Sequence, residues 1–227
     1  GDAAKSIRPA PSGLPSMGLF GIDVEPIRMP IRAAETKPRG FEKPIPTQVQ
    51  VQMQTRPSDE LLLVIDVQND FCPGGALAVG AGDEVVPVIN RLSERFDHVV
   101  LTQDWHPPGH SSFATSHPGS APFQGITMAY GEQTLWPDHC VQGTSGAGFH
   151  PMLRIDCAEL VIRKGFRQEI DSYSAFYEND QRTPTGLAGY LRERGMRRIF
   201  LAGLATDFCV YYSAIDARRL GFEAVLL

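Results

Sequence analysis

From residue 59 onward, short apolar runs alternate with stretches that carry an apolar helical face. That alternation confines the chain to the α/β class, with a parallel sheet and right-handed crossovers. Residues 61–66 (LLLVID) read as the first strand. Residues 83–95 read as a helix, with Val85, Val86, Ile89 and Leu92 on one face and Pro87 in the first turn, where proline is tolerated. Residues 98–102 and 159–163 read as the next strands. Residues 185–194 form a helix stopped by Gly195, and 197–202 a fourth strand. Residues 207–220 form a helix ended by Gly221, and 222–227 begin a fifth strand. The expected architecture is a three-layer αβα, Rossmann-like domain with a mostly parallel sheet, spanning 59–227. Because its last strand is apolar, a further helix and strand are expected to be missing from its C-terminal side. Residues 103–156 show little periodicity and are rich in Pro, Gly, His and Ser. Ordered loops of that length are usually functional.

Residues 1–58 differ. They hold nine of the 18 prolines and carry net charge +3, against −8 for the remainder. An irregular Pro-rich N-terminal extension is expected. The other reading is an arm that packs on the domain or on a second copy in a homo-oligomer, through Phe20, Ile22, Val24, Ile27, Met29 and Ile31. The net charge of −5 argues against a nucleic-acid partner, and no apolar stretch approaches the roughly 20 residues of a membrane span. Four cysteines with no metal-type or CxxC spacing read as reduced thiols in the cytoplasm. Packing is the simplest role for Cys72, Cys140 and Cys157.

Three of the apolar runs end on residues that do chemistry: Asp66, Lys164, and Cys209 six residues after Gly203. Ligands of an open parallel sheet bind at the carboxyl ends of its strands. Cys209 falls just inside the expected N-terminus of a helix, with Thr206 or Asp207 as N-cap. The helix end and a nearby lysine are expected to lower the thiol pKa, and the exposed N–H groups to hold an oxyanion. Asp66 is placed to accept the thiol proton. Each residue alone has an ordinary alternative: a buried helix cysteine, a turn acid, a strand-end cation. Delivered to one edge, they make an activated nucleophile. A second cluster comprises Asp104-Trp105-His106, His110 and His139. An Asp-x-His pair in extended backbone shares a face, and His139 would complete a two-His, one-carboxylate metal site. His110 suits a supporting role beside the metal, and His117 a solvated loop position. Phe71, Trp105 and Trp136 flank these groups as core packing or as walls for a flat ligand.

Five ordered blocks resemble the nicotinamidase/pyrazinamidase branch of the isochorismatase-like cysteine hydrolase superfamily. They are LLLVIDVQNDFCPGGALAV, TQDWHPPGHSSFA, WPDHCVQGTSGAGFHP, RKG followed by DSYSAF, and LAGLATDFCV. The resemblance implies Asp66, Lys164 and Cys209 as catalytic residues, and Asp104, His106 and His139 as ligands of one divalent ion, with Zn²⁺ first and Fe²⁺ or Mn²⁺ also accepted. It implies a cis peptide at Leu204–Ala205, an oxyanion hole from the N–H groups of Ala205 and Cys209, and a ring sandwich from Phe71 and Trp136. The implied reaction is hydrolysis of a small aromatic amide in NAD salvage: nicotinamide, and also pyrazinamide, through a thioester. The alternatives are a sister amidase for carbamoyl or ureido substrates, which generally lacks the metal cluster, or an inactive shortened form.

Overall fold

The computed structural model describes residues 59–227. The expectations of an irregular extension and of an arm in a homo-oligomer fall on residues 1–58, outside the described residues. Five parallel strands form one sheet: β1 (Glu60–Ile65), β2 (Val99–Asp104), β5 (Leu160–Lys164), β6 (Arg198–Gly203) and β7 (Glu223–Leu226), in the order β5-β2-β1-β6-β7. β1 is central because both of its faces are apolar. Leu61, Leu63 and Ile65 pack on one side of the sheet and Leu62 and Val64 on the other, and none is more than 2% exposed. A continuous apolar run is what a strand covered on both faces requires. Each such side chain contributes about 1.5–3 kcal/mol when fully buried.

Helix α1 (Val85–Ser93) covers one face through Val86 and Ile89. Helices α2 (Leu187–Glu193) and α3 (Tyr211–Arg219) cover the other through Leu187, Leu191, Ala214 and Ala217. The chain moves outward from β1 to β2 and β5, then returns to the opposite side of β1 as β6. The order therefore reverses between β1 and β6, and a crevice at the carboxyl ends is expected there. Gly203 makes that approach close. Its φ is +138°, and a Cβ there would collide with the carbonyl oxygen of Ile65.

Two readings need correction. The stretch 103–156 is not without regular structure: it contains an antiparallel hairpin, β3 (Gly125–Met128) and β4 (Gly131–Thr134). The expected helix 207–220 does not start as an α-helix. Residues Thr206–Val210 form a wider π-type turn, with Val210 N–H donating to the Ala205 carbonyl, before α3 begins. Ala205, not Thr206 or Asp207, holds the N-cap position, and no side chain caps it. Among the described residues, no helix is long and apolar enough to cross a membrane.

The loop between β5 and α2 holds a buried acid. Glu178 pairs with Arg167, yet its Oε2 has no hydrogen-bond partner. Burial pushes its carboxyl from an ordinary 4.5 up to about 7, against the pull of Arg167. A pKa raised by folding stabilises the fold fully below pH 4.5, and that gain is lost as pH rises through 7. The contribution of Glu178 to the melting temperature is therefore expected to fall between pH 5 and pH 8. Glu178→Gln, which stays neutral, is expected to flatten that dependence by on the order of 1–3 kcal/mol. Scanning calorimetry at the two pH values checks this; equal slopes for both proteins would refute it.

Candidate active site

Strand ends build the site. β1 gives way to Asp66, whose φ of +47° turns the chain out of the strand. β2 ends on Asp104 and β5 on Lys164, directly opposite each other in the register. After β6 come a cis peptide at Leu204–Ala205 and the π-type turn that carries Cys209. The side chains of Asp66, Asp104 and Cys209 converge on the Lys164 ammonium, which is fully buried. Its Nζ lies 2.9 Å from Asp66 Oδ2 and 2.9 Å from Asp104 Oδ1. It also donates to the Ser172 carbonyl at 2.9 Å and lies 3.5 Å from Cys209 Sγ. Asp66 accepts a 2.6 Å hydrogen bond from the Thr102 hydroxyl at Oδ1, while Oδ2 accepts no aligned hydrogen bond.

Electrostatics follow from burial and from this one cation. Burial alone would strip Lys164 of its proton, but the charges of Asp104 and Asp66 outweigh it and raise its pKa well above the ordinary range. Burial raises Asp66 above the usual carboxylate range, against the pull of Lys164. The thiol departs from the expectation of a lowered pKa. Burial pushes Cys209 well up, Lys164 opposes this, and the nearby charges of Asp66 and Asp104 add to it. Burial thus favours the neutral sulfur, and Lys164 is the group that favours the thiolate.

Asp104, His106 and His139 face one another on the other side of Lys164. Asp104 Oδ2 is 3.1 Å from His106 Nε2 and 3.5 Å from His139 Nε2, and one ligand atom from each residue lies within 4.8 Å of the others. Each imidazole uses Nδ1 elsewhere: His106 on the Gly165 carbonyl at 2.9 Å, His139 on the Pro137 carbonyl at 2.8 Å. That fixes both tautomers with Nε2 turned inward, the arrangement that second-sphere contacts impose on metal-binding imidazoles. Burial works against a charged His106, but Asp104 raises it to about 9, so that a proton and a cation would compete for the same nitrogen. The donor set fits a divalent ion. His106, His110 and Asp171 form a second, overlapping group of three. His110 is buried and bonded to Ser112 and to the Arg167 carbonyl, while His117 is half-buried on the Ser111 carbonyl.

A cavity of about 130 Å³ opens onto these groups. Phe71 and Trp136 line it, together with Ala205, Cys209, Asp104 and His139. Trp105 does not line it. Alternation along the extended chain turns Trp105 away from Asp104 and His106, and its ring instead lies 3.9 Å from the Arg163 guanidinium carbon. The residues that the sequence reading passed over are Leu77, Ala78, Val79, Asp171, Tyr173 and Phe208, which complete the walls. Asp171 and Tyr173 lie in the DSYSAF block, and the hairpin holds both: Gln133 Nε2 donates to Asp171 Oδ2 and to the Tyr173 hydroxyl, each at 2.9 Å.

A parallel α/β sheet that gathers acid, ammonium and thiol at its carboxyl edge has the architecture of a hydrolase. Residues 60–227 match the isochorismatase domain, and the chain belongs to the isochorismatase family. It is 55% identical over 166 residues to the nicotinamidase of Acinetobacter baylyi, covering 73% of this chain and 78% of that one. A protein of L. infantum solved in complex with nicotinate superposes with TM-score 0.65 at 44% identity, over 75% of this chain and 80% of that one. A pyrazinamidase of Pyrococcus horikoshii in complex with zinc superposes with TM-score 0.59 at 37% identity, over 74% and 83%.

Proposed function

We propose that this chain is a nicotinamidase. It hydrolyses nicotinamide to nicotinate and ammonia through a thioester on Cys209, serves NAD salvage, and also accepts pyrazinamide. The catalytic unit is residues 59–227. The observation that carries this reading is the meeting of Asp66 and Cys209 on the buried Lys164 ammonium, with Cys209 itself lining an aromatic-walled cavity. Phe71 and Trp136 take the two sides of the ring. Asp66 Oδ2 accepts the thiol proton as the sulfur attacks the carboxamide carbon. The oxyanion of the tetrahedral adduct rests on the N–H groups of Ala205 and Cys209; one such donor is typically worth about 2.7–4 kcal/mol. Asp66 then returns the proton to the leaving nitrogen, and ammonia departs. In the second half, Asp66 takes a proton from water as its oxygen attacks the thioester carbon; the C–S bond breaks, Asp66 passes that proton to the leaving sulfur, and the product acid gives its own proton to solvent as nicotinate. Lys164 holds Asp66 in place and balances its charge throughout.

Asp104, His106 and His139 would hold one divalent ion, Zn²⁺ before Fe²⁺ or Mn²⁺. Such an ion supplies a Lewis-acid anchor for a ring nitrogen. These three residues favour an azine carboxamide over the carbamoyl or ureido substrates of sister amidases. All four cysteines are free, which suits a reducing cytosol. The test is ammonia release from nicotinamide by the full chain, with and without a chelator. Release that the chelator abolishes and zinc restores is expected. Absence of release from zinc-loaded protein, or faster release from a ureido acid, would overturn the proposal.

A further inference from the structure

We infer that Thr102 and Gln68 are paired positioning residues, which divide the site into a thiol-activating half and a metal-holding half. The inference rests on the function proposed above. The backbone ladder between β1 and β2 stops at the Val64–Leu101 pair. Beyond it the two strands splay, and side chains take over the orphaned backbone groups. The Thr102 hydroxyl accepts from the Asp66 N–H at 3.1 Å and donates to Asp66 Oδ1 at 2.6 Å. The Gln68 amide does the reciprocal job on the other strand. Its Oε1 accepts from the Asp104 N–H at 2.7 Å, and its Nε2 donates to the Asp104 carbonyl at 2.8 Å and the Ala147 carbonyl at 2.9 Å. Both side chains are fully buried, and only one orientation of each satisfies these partners.

This splice has two chemical effects. Thr102 occupies Oδ1 of Asp66, so the oxygen left to receive a proton is Oδ2, beside Lys164. Gln68 grips Asp104 by its backbone and leaves both of its carboxylate oxygens available, one for Lys164 and one for the imidazoles. Each side chain works through a different acid, so their losses are separable.

Thr102→Val keeps the shape and removes the hydroxyl. It is expected to lower kcat by about 10–100-fold with KM within about threefold, as small misplacements of a reacting group do. Its zinc affinity, read by competition with a chromophoric chelator, is expected to stay unchanged. Thr102→Ser restores kcat. Gln68→Met is expected to weaken zinc affinity by about 10–100-fold while each zinc-loaded molecule retains most of its kcat. Alkylation of Cys209 by iodoacetamide, followed peptide by peptide, slows in Thr102→Val and not in Gln68→Met, whatever the substrate proves to be. Parallel loss of zinc and kcat in both variants, or failure of Thr102→Ser to restore the rate, would overturn the inference. If Gln68→Met does not fold, the valine and serine pair decides it. A wild-type protein inert towards nicotinamide would sink the proposed function, while the alkylation and zinc-affinity contrasts would still decide this inference.

Discussion

Cys209→Ala is expected to cut ammonia release from nicotinamide by about 10⁴-fold or more, the scale on which removal of a covalent nucleophile acts. The substitution takes away one sulfur atom and little else. Lys164 keeps Asp66, Asp104 and the Ser172 carbonyl as partners, so the buried charges stay paired. The Asp104, His106 and His139 group lies beyond Lys164, and its zinc content is expected to match the wild type. The variant therefore separates two mechanisms. If the sulfur forms the thioester, activity disappears and metal remains. Retention of a tenth of the wild-type rate would remove Cys209 from the nucleophile role and leave direct attack by water. Intact-mass spectrometry of wild-type protein quenched during turnover gives a second check, because the acyl group adds its mass only where the thiol is present.

The other large effect is expected from His106→Ala. This side chain is fully buried, bonded to Asp104 and Gly165, and its ring packs edge-on to Phe113 and His139. Loss of the imidazole is expected to lower zinc affinity by more than about 100-fold, beyond what a second-sphere loss causes, and to raise KM for nicotinamide. Metal retained after dialysis, measured by elemental analysis, reads the first effect. His106 belongs to both three-residue groups, whereas His139 belongs to one. His139→Ala is expected to lose zinc as well. Full zinc retention in that variant would move the ion to the group of His106, His110 and Asp171.

The strands were legible because their residues have little choice. Leu61 to Ile65 offer no polar face, and the acid after them could only emerge at a sheet end. The hairpin of β3 and β4 was not legible. Its alternation is weak, and its buried residue is Gln133, a polar side chain that earns its place through partners about 40 positions away. Trp105 could have been excluded from the cavity by the same period-two argument that put Asp104 and His106 together. Asp171 and Tyr173 depend on Gln133 and on the Asn179 side chain, and no local pattern announces such contacts. The thiol pKa failed for another reason. Sequence displays the lysine and the turn, but desolvation depends on every surrounding wall, and here it dominates.

The widened turn at Thr206–Val210 closes its hydrogen bond over one residue more than the helix it feeds, from Val210 N–H back to the Ala205 carbonyl. Deleting a residue there would let an ordinary helical coil form, and every side chain before α3 would rotate by about 100° about the axis. Reach and phase of the sulfur are thus set by a local count of residues, while the helix behind it stays anchored in the core. An insertion or deletion within those five positions would therefore misaim the thiol.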